Sequence, residues 1–174
     1  MSRFAARTAA ERLIQRFGIN KAPVDVYEVA RALGLTIVLE DLGSDVSALL
    51  VTEGASSVIG VNKNHSDKRR RFSIAHEIGH HVMRHQFQSG EHVHVDRGSF
   101  ISERGTRASA GIDPKEIEAN QFAASLLMPT NVVLEHVARI GRTPLSESDI
   151  KGLAKDFNVS EQAMTIRLTV LGRV

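Results

Sequence analysis

The sequence predicts an α+β fold in which a small antiparallel sheet of about three strands packs on a central helix. Three observations support this prediction. Short β-like runs separated by glycine-containing turns occupy residues 35–61. Helical periodicity dominates the chain on either side of these runs. Every periodic segment after residue 113 is helical, so we also expect a helical C-terminal part.

The composition excludes several classes of protein. The 174 residues include no cysteine, so disulfides and thiolate metal ligands are excluded. No apolar run approaches the roughly 18 residues of a membrane span, and the basic N-terminus leads into an amphipathic pattern rather than a signal-peptide core. We therefore expect a soluble, cytoplasmic protein. A net charge of +2 is too small to predict nucleic-acid binding without a basic patch.

Two helices and three strands are predicted before residue 62. Apolar residues at helical spacing cover residues 5–17, and Gly18 is placed to end that helix. A second, short helix follows Pro23 and ends at Gly34. The three strand-like runs are residues 35–39, 47–51 and 57–61.

The motif H-E-x-x-H, formed by His76, Glu77 and His80, is the main chemical signal in the chain. On a helix, residues four apart lie roughly 40° from each other around the axis, so both imidazoles can reach one metal ion. Glu77 lies roughly 100° away, too far round to join them as a ligand but within reach of a metal-bound water. A second pair, His81 and His85, has the same spacing without an adjacent acid, and we expect His85 to be a partly buried hydrogen-bonding residue.

A third ligand is predicted on the next helix, which Asp113 and Pro114 begin. Glu116 shares one stripe of this helix with Asn120 and with small and apolar residues. Glu118 lies on a different face of the helix, which is predicted to be exposed to solvent. We therefore prefer Glu116 to Glu118 as the third ligand.

The C-terminal helices have the spacing of a helix-turn-helix motif. Pro129 interrupts the ligand-bearing helix, and two further helices join through a short turn at residues 157–159. The second of them carries a single arginine, Arg167, and little else that could read bases. We expect two parts, 1–129 and 130–174, with the second packed on the first rather than independent.

With these motifs in place, the chain resembles the ImmA/IrrE family of metallopeptidases. The resemblance covers nearly the whole chain, and the two central motifs together make it specific. The matching segments are PVDV at 23–26, ARALG at 30–34, GVN at 60–62, RRFSIAHEIGH at 70–80, EIEANQFAASLLMP at 116–129 and VSEQAMTIRL at 159–168.

The resemblance implies a zincin fold of the minigluzincin type. It also implies that Glu116 is the third metal ligand, in the pattern E-x-x-A-N, and that Asn120 supports the ligands from beside them. Family members cleave helix-turn-helix repressors, often encoded nearby, in mobile-element, phage, toxin–antitoxin or damage-response systems. A repressor or antitoxin is therefore the expected partner.

Together these inferences predict a Zn-dependent endopeptidase. His76, His80 and Glu116 would hold one Zn²⁺, although Mn²⁺ or Fe²⁺ can use the same donors. Metal binding would lower the pKa of a bound water toward about 7, and Glu77 would take its proton as general base. The substrate would pair with an edge strand of the sheet. The residues assigned to that edge are Ser47, Ala48, Leu49, Leu50 and Val51.

Two points stay open at this stage. The group that stabilises negative charge in the reaction could be Tyr27, His92, His94 or Arg97, and alternation of His92 and His94 with valines indicates a short strand there. The function also has two alternatives: a non-cleaving, metal-containing regulator that binds a repressor or antitoxin, and a DNA-binding protein whose metal is structural.

Overall fold

The predicted α+β class is confirmed by a computed structural model, which describes residues 3–54, 56–85, 93–97 and 113–174. Seven helices and a small mixed sheet are present in these residues. In chain order they are α1 (Arg3–Arg16), α2 (Val26–Ala32), β1 (Leu35–Glu40), β2 (Ala48–Glu53), β3 (Ser56–Asn62), α3 (Asp67–Val82), β4 (Val93–Asp96), α4 (Pro114–Leu127), α5 (Thr130–Ile140), α6 (Glu147–Asp156) and α7 (Glu161–Val170).

The sheet has four strands in the order β1-β3-β2-β4, so the expectation of about three antiparallel strands was wrong in two details. β2 and β3 form the predicted hairpin, but β1 pairs with β3 in parallel. The connection from β1 passes the end of β3 and continues on its other side. The amide of Asn62 holds this connection by donating to the carbonyl oxygens of Gly43 at 2.6 Å and Val46 at 2.8 Å.

β2 lies inside the sheet, so the predicted substrate edge Ser47, Ala48, Leu49, Leu50 and Val51 was wrong. One side of β2 pairs with β3 and the other with β4. The backbone N–H of Ser47 also donates to the carbonyl oxygen of Asp96 at 2.8 Å. Both backbone edges of this segment are therefore used within the protein, and among the described strands β1 and β4 are outermost.

α3 and α4 pack closely across the middle of the molecule. The two helices approach closely at Gly79, where a Cβ would lie 3.1 Å from Cδ1 of Phe122. Ile74, Ile78 and Phe122 are completely buried beside it. The sequence of α3 therefore combines an apolar core face with one glycine that lets α4 approach the ligand-bearing side of the helix.

The C-terminal helices pack onto the rest of the core. The guanidinium of Arg167 on α7 is buried, and it donates to the carbonyl oxygen of Met128 and to Oγ1 of Thr130, both at 3.0 Å. The side chain of Ser160 caps α7 by accepting from the N–H of Ala163, as helix-start residues of this type do. The division of the chain at residue 129 stays a prediction.

None of the helices in the described residues is long and apolar enough to cross a membrane.

Candidate metal centre

Four side chains from three elements converge below the sheet: His76 and His80 from α3, His94 from β4 and Glu116 from α4. One ligand atom of each lies within 4.8 Å of all the others. The four-residue spacing on α3 places its two histidines on one face. Strand alternation turns His94 toward α3, since Val93 and Val95 on the opposite face are exposed. The structure thus brings together the three ligands predicted from sequence and adds a third histidine.

The distances within this cluster fit a single metal ion. His76 Nε2 lies 3.0 Å from His80 Nε2, and the carboxylate of Glu116 lies 3.2 Å from the first nitrogen and 3.4 Å from the second. Tetrahedral coordination with metal–nitrogen bonds of about 2.0–2.1 Å places ligand atoms about 3.3 Å apart. The observed separations agree with that value, and both imidazoles are 1% exposed.

Asn120 contacts the nitrogen of His76 that points away from the cluster. Its Oδ1 lies 3.0 Å from His76 Nδ1 and accepts the proton there. Nε2 of His76 faces the carboxylate of Glu116, and loss of its proton would leave the lone pair there for a metal ion. The structure therefore places Asn120 where the family resemblance expects it, in contact with the far side of the His76 ring.

Glu77 is completely buried, and its carboxylate accepts from Nδ1 of His94 at 3.0 and 3.3 Å. The other ring nitrogen of His94 lies 3.0 Å from Oε1 of Glu116. Burial raises the pKa of Glu77, and the bond from His94 opposes this shift only in part. A buried carboxylate with a raised pKa beside a metal cluster has the properties of a general base.

Burial and hydrogen bonds shift the pKa values in the cluster in different directions. Burial lowers the pKa of His94, but its bonds to Glu116 and Glu77 outweigh burial and raise that pKa to about 10. Burial opposes ionisation of Glu116, yet the bonds from His76 and His94 hold its pKa well below the usual range. Burial, aided by the neighbouring histidines, lowers the pKa of His80 to about 2. A neutral imidazole and an ionised carboxylate are the protonation states that divalent cations require.

Of the groups proposed from sequence to stabilise negative charge, His94 is the one that joins the cluster. Tyr27 lies on α2 with 37% of its surface exposed, and Arg97 follows β4 with its side chain exposed. His92 lies outside the described residues. The alternating pattern around residue 94 indicated a strand, but only the position of β4 in the sheet brings this histidine to Glu77.

Glu118 is buried, so the expectation that it faces solvent was wrong. Its Oε2 accepts from Nε2 of His85 at 3.1 Å, and Nδ1 of His85 lies 3.0 Å from Nδ1 of His80. The solvent face was misjudged because α4 packs against both α1 and α3, and His85 at the end of α3 contacts Glu118. The prediction that His85 is a buried hydrogen-bonding residue is confirmed, and its partner is a metal-centre histidine.

The fold and the cluster together define a metallopeptidase-type protein, with an H-E-x-x-H helix under a small sheet and a glutamate supplied by the following helix. Comparison with known families agrees with this class. Residues 30–169 match Peptidase_M78, described as the IrrE N-terminal-like domain. The chain belongs to this family.

Two relatives illustrate the similarity. The chain is 23% identical over 158 residues to "Uncharacterized immunity region protein 2" of Bacillus phage phi105, and the match covers 86% of this chain and 90% of the phage protein. It also superposes on a solved structure, a Mycobacterium tuberculosis transcriptional regulator, with a TM-score of 0.59 and 21% identity. That match covers 95% of this chain but 46% of the regulator, so it supports the fold alone.

Proposed function

We propose that this protein is a Zn-dependent endopeptidase that cleaves a helix-turn-helix repressor or antitoxin and so relieves repression. The observation that carries the proposal is the buried carboxylate of Glu77 beside the cluster of His76, His80 and Glu116. A metal site that serves only structure or binding has no need of an unligated, buried carboxylate at this position.

The metal would be held by Nε2 of His76, Nε2 of His80 and the carboxylate of Glu116. When bound, a divalent ion supplies Lewis acidity and lowers the pKa of water toward about 7. Two imidazoles and one carboxylate favour Zn²⁺, although Mn²⁺ and Fe²⁺ can use the same donors.

Glu77 would act as general base by accepting a proton from the attacking water, and it would then pass this proton to the leaving amine. His94 holds the carboxylate of Glu77 in place through Nδ1. Both ring nitrogens of His94 face carboxylate oxygens, so both carry protons. We therefore assign His94 as the group that would stabilise negative charge on the scissile carbonyl oxygen, through Nε2–H once a metal ion engages Glu116.

The substrate would lie beside β4 rather than β2. β4 is an outermost strand among those described, and its exposed Val93 and Val95 flank the inward-facing His94. An extended peptide that pairs with this strand by β-augmentation would pass next to the cluster. The family resemblance and the name of the phage relative, an immunity region protein, support a repressor as the substrate and the cytoplasm as the place of action.

The test uses any helix-turn-helix protein encoded beside the gene as the candidate substrate. Metal-loaded protein and partner are incubated together, and the fragments are identified by mass spectrometry. We expect one discrete cut by the wild type and none by Glu77→Gln, which should retain its metal by elemental analysis. Equal cleavage by the variant would exclude Glu77 as base. A stable complex with intact partner would favour the non-cleaving regulator instead.

DNA binding is the less favoured alternative. The arginine of α7 is buried against the carbonyl of Met128 and the side chain of Thr130, so it is used within the protein. A salt-dependent affinity for duplex DNA would be the signature of this alternative.

A further inference from the structure

We propose that Glu118 and His85 are positioning residues that set the tautomer and ring orientation of the metal ligand His80. This inference rests on the proposed metal site, but it concerns side chains that would not touch the metal. The chain of contacts runs from Glu118 on α4, through His85 just after α3, to His80.

The direction of each hydrogen bond follows from the carboxylate at the start of the chain. An ionised carboxylate only accepts, so Nε2 of His85 must carry the proton that Oε2 of Glu118 receives at 3.1 Å. Nδ1 of the neutral His85 ring is then an acceptor, and it receives the proton of His80 Nδ1 at 3.0 Å. His80 is left with its lone pair on Nε2, the atom that faces the cluster.

Burial makes the hydrogen bonds that link Glu118, His85 and His80 difficult to replace. The side chains of His85 and Glu118 are 5% and 6% exposed, and that of His80 is fully buried. Water is therefore a poor substitute for any of these three side chains, and a buried polar group that loses its partner destabilises the protein. Without an acceptor at residue 118, the ring of His85 could carry its proton on Nδ1, and His80 Nδ1 would lose its acceptor.

The two histidines of the motif are thus supported in different ways. Oδ1 of Asn120 accepts directly from His76, whereas the carboxylate of Glu118 reaches His80 through a second imidazole. Partners of this kind fix ring orientation, and their loss typically lowers metal affinity about 10–100-fold. The same order of effect is expected for the chain that supports His80.

The decisive variant is Glu118→Leu, which is of similar bulk but cannot accept a hydrogen bond. We expect its Zn²⁺ affinity, measured by competition with a chromophoric chelator, to fall about tenfold or more. Thermal unfolding of the metal-free protein should change little in comparison. His81→Gln is the matched control. His81 is next to the ligand His80 but takes no part in the hydrogen bonds that link Glu118, His85 and His80, so the Zn²⁺ affinity of this variant should equal that of the wild type.

A pair of substitutions at residue 85 separates positioning from packing. In His85→Asn, the side-chain oxygen can take the place of Nδ1 and accept from His80. The Zn²⁺ affinity of this variant should therefore stay close to that of the wild type, and it should no longer depend on Glu118. His85→Leu fills the space without accepting and should lose affinity. Absorption of bound Co²⁺ reports ligand geometry, and it should change in His85→Leu and Glu118→Leu but not in His81→Gln.

Wild-type affinity and an unchanged Co²⁺ spectrum in Glu118→Leu would overturn the proposal, as would equal losses in His85→Asn and His85→Leu. If His85→Leu does not fold, Glu118→Leu still decides the question. Failure of the wild-type protein to bind any divalent metal would instead refute the metal site itself, so the two failures are distinguishable.

Discussion

Substitution of Gly79 by alanine tests whether the close approach of α3 and α4 holds the metal ligands together. The added Cβ would lie 3.1 Å from Cδ1 and 3.2 Å from both Cβ and Cγ of Phe122. Ordinary carbon–carbon contacts are about 3.5–4.0 Å. The two helices must therefore separate by roughly 0.4–0.8 Å, or the buried ring must leave its position.

Two opposing effects determine the stability of Gly79→Ala. Overpacking a buried site costs about 1–3 kcal/mol, and replacing glycine by alanine within a helix gains about 1 kcal/mol. The net loss in the free energy of unfolding should be about 0–2 kcal/mol, so the variant should fold. Ligand distances in metal sites are expected within about 0.2 Å of their ideal values. Glu116 would move with α4, while His76 and His80 stay on α3. We therefore expect Zn²⁺ affinity to fall at least tenfold, as it does when a residue that hydrogen-bonds to a metal ligand is removed.

The assay combines chelator competition with thermal unfolding of the metal-free protein. Gly152→Ala is the matched control, because this glycine is also within a helix but nothing lies within 4 Å of the added Cβ. It should stabilise the protein by up to about 1 kcal/mol and leave metal affinity unchanged. If Gly79→Ala behaves like Gly152→Ala in both measurements, the close contact with Phe122 does not set the ligand geometry.

Two further predictions follow from the cluster. Glu116→Ala should weaken Zn²⁺ binding by clearly more than the roughly 10–100-fold expected when a residue that hydrogen-bonds to a ligand is lost. If Glu118→Leu binds Zn²⁺ more weakly than Glu116→Ala, the choice of Glu116 as third ligand is wrong. His94, whose ordinary pKa of 6.5 is raised to about 10, contributes stability that is full below pH 6.5 and is lost as pH rises toward about 10. The melting temperature of the metal-free protein should therefore fall across this range. This dependence should be much weaker in His94→Gln, and an unchanged slope would exclude His94 as its source.

The motif residues on α3 and α4 were predictable because spacing along a helix sets the direction in which each side chain points from the helix axis. Four residues along α3 bring two imidazoles to one face, and the same period on α4 relates Glu116 to Asn120. These relations hold within a single element and do not depend on its neighbours. The structure accordingly brings His76, His80, Glu116 and Asn120 together as the sequence predicted.

Relations between elements were not predictable in the same way. Alternation indicated a strand around His94, but strand periodicity does not specify which strand it pairs with, and pairing with β2 is what turns His94 toward Glu77 and removes the edge predicted at residues 47–51. Likewise, the face of α4 that carries Glu118 reads as polar, and only packing beside α1 and α3 buries it against His85.

The sequence alone therefore identified the local chemistry of this protein: the two histidines, the glutamate between them and the glutamate of the next helix, because each depends on spacing within one helix. The tertiary structure alone decided which strand borders the site, which histidine joins it and which carboxylate supports it. Those features depend on which surfaces are removed from water when the elements pack, and packing partners are not encoded in the period of any single segment.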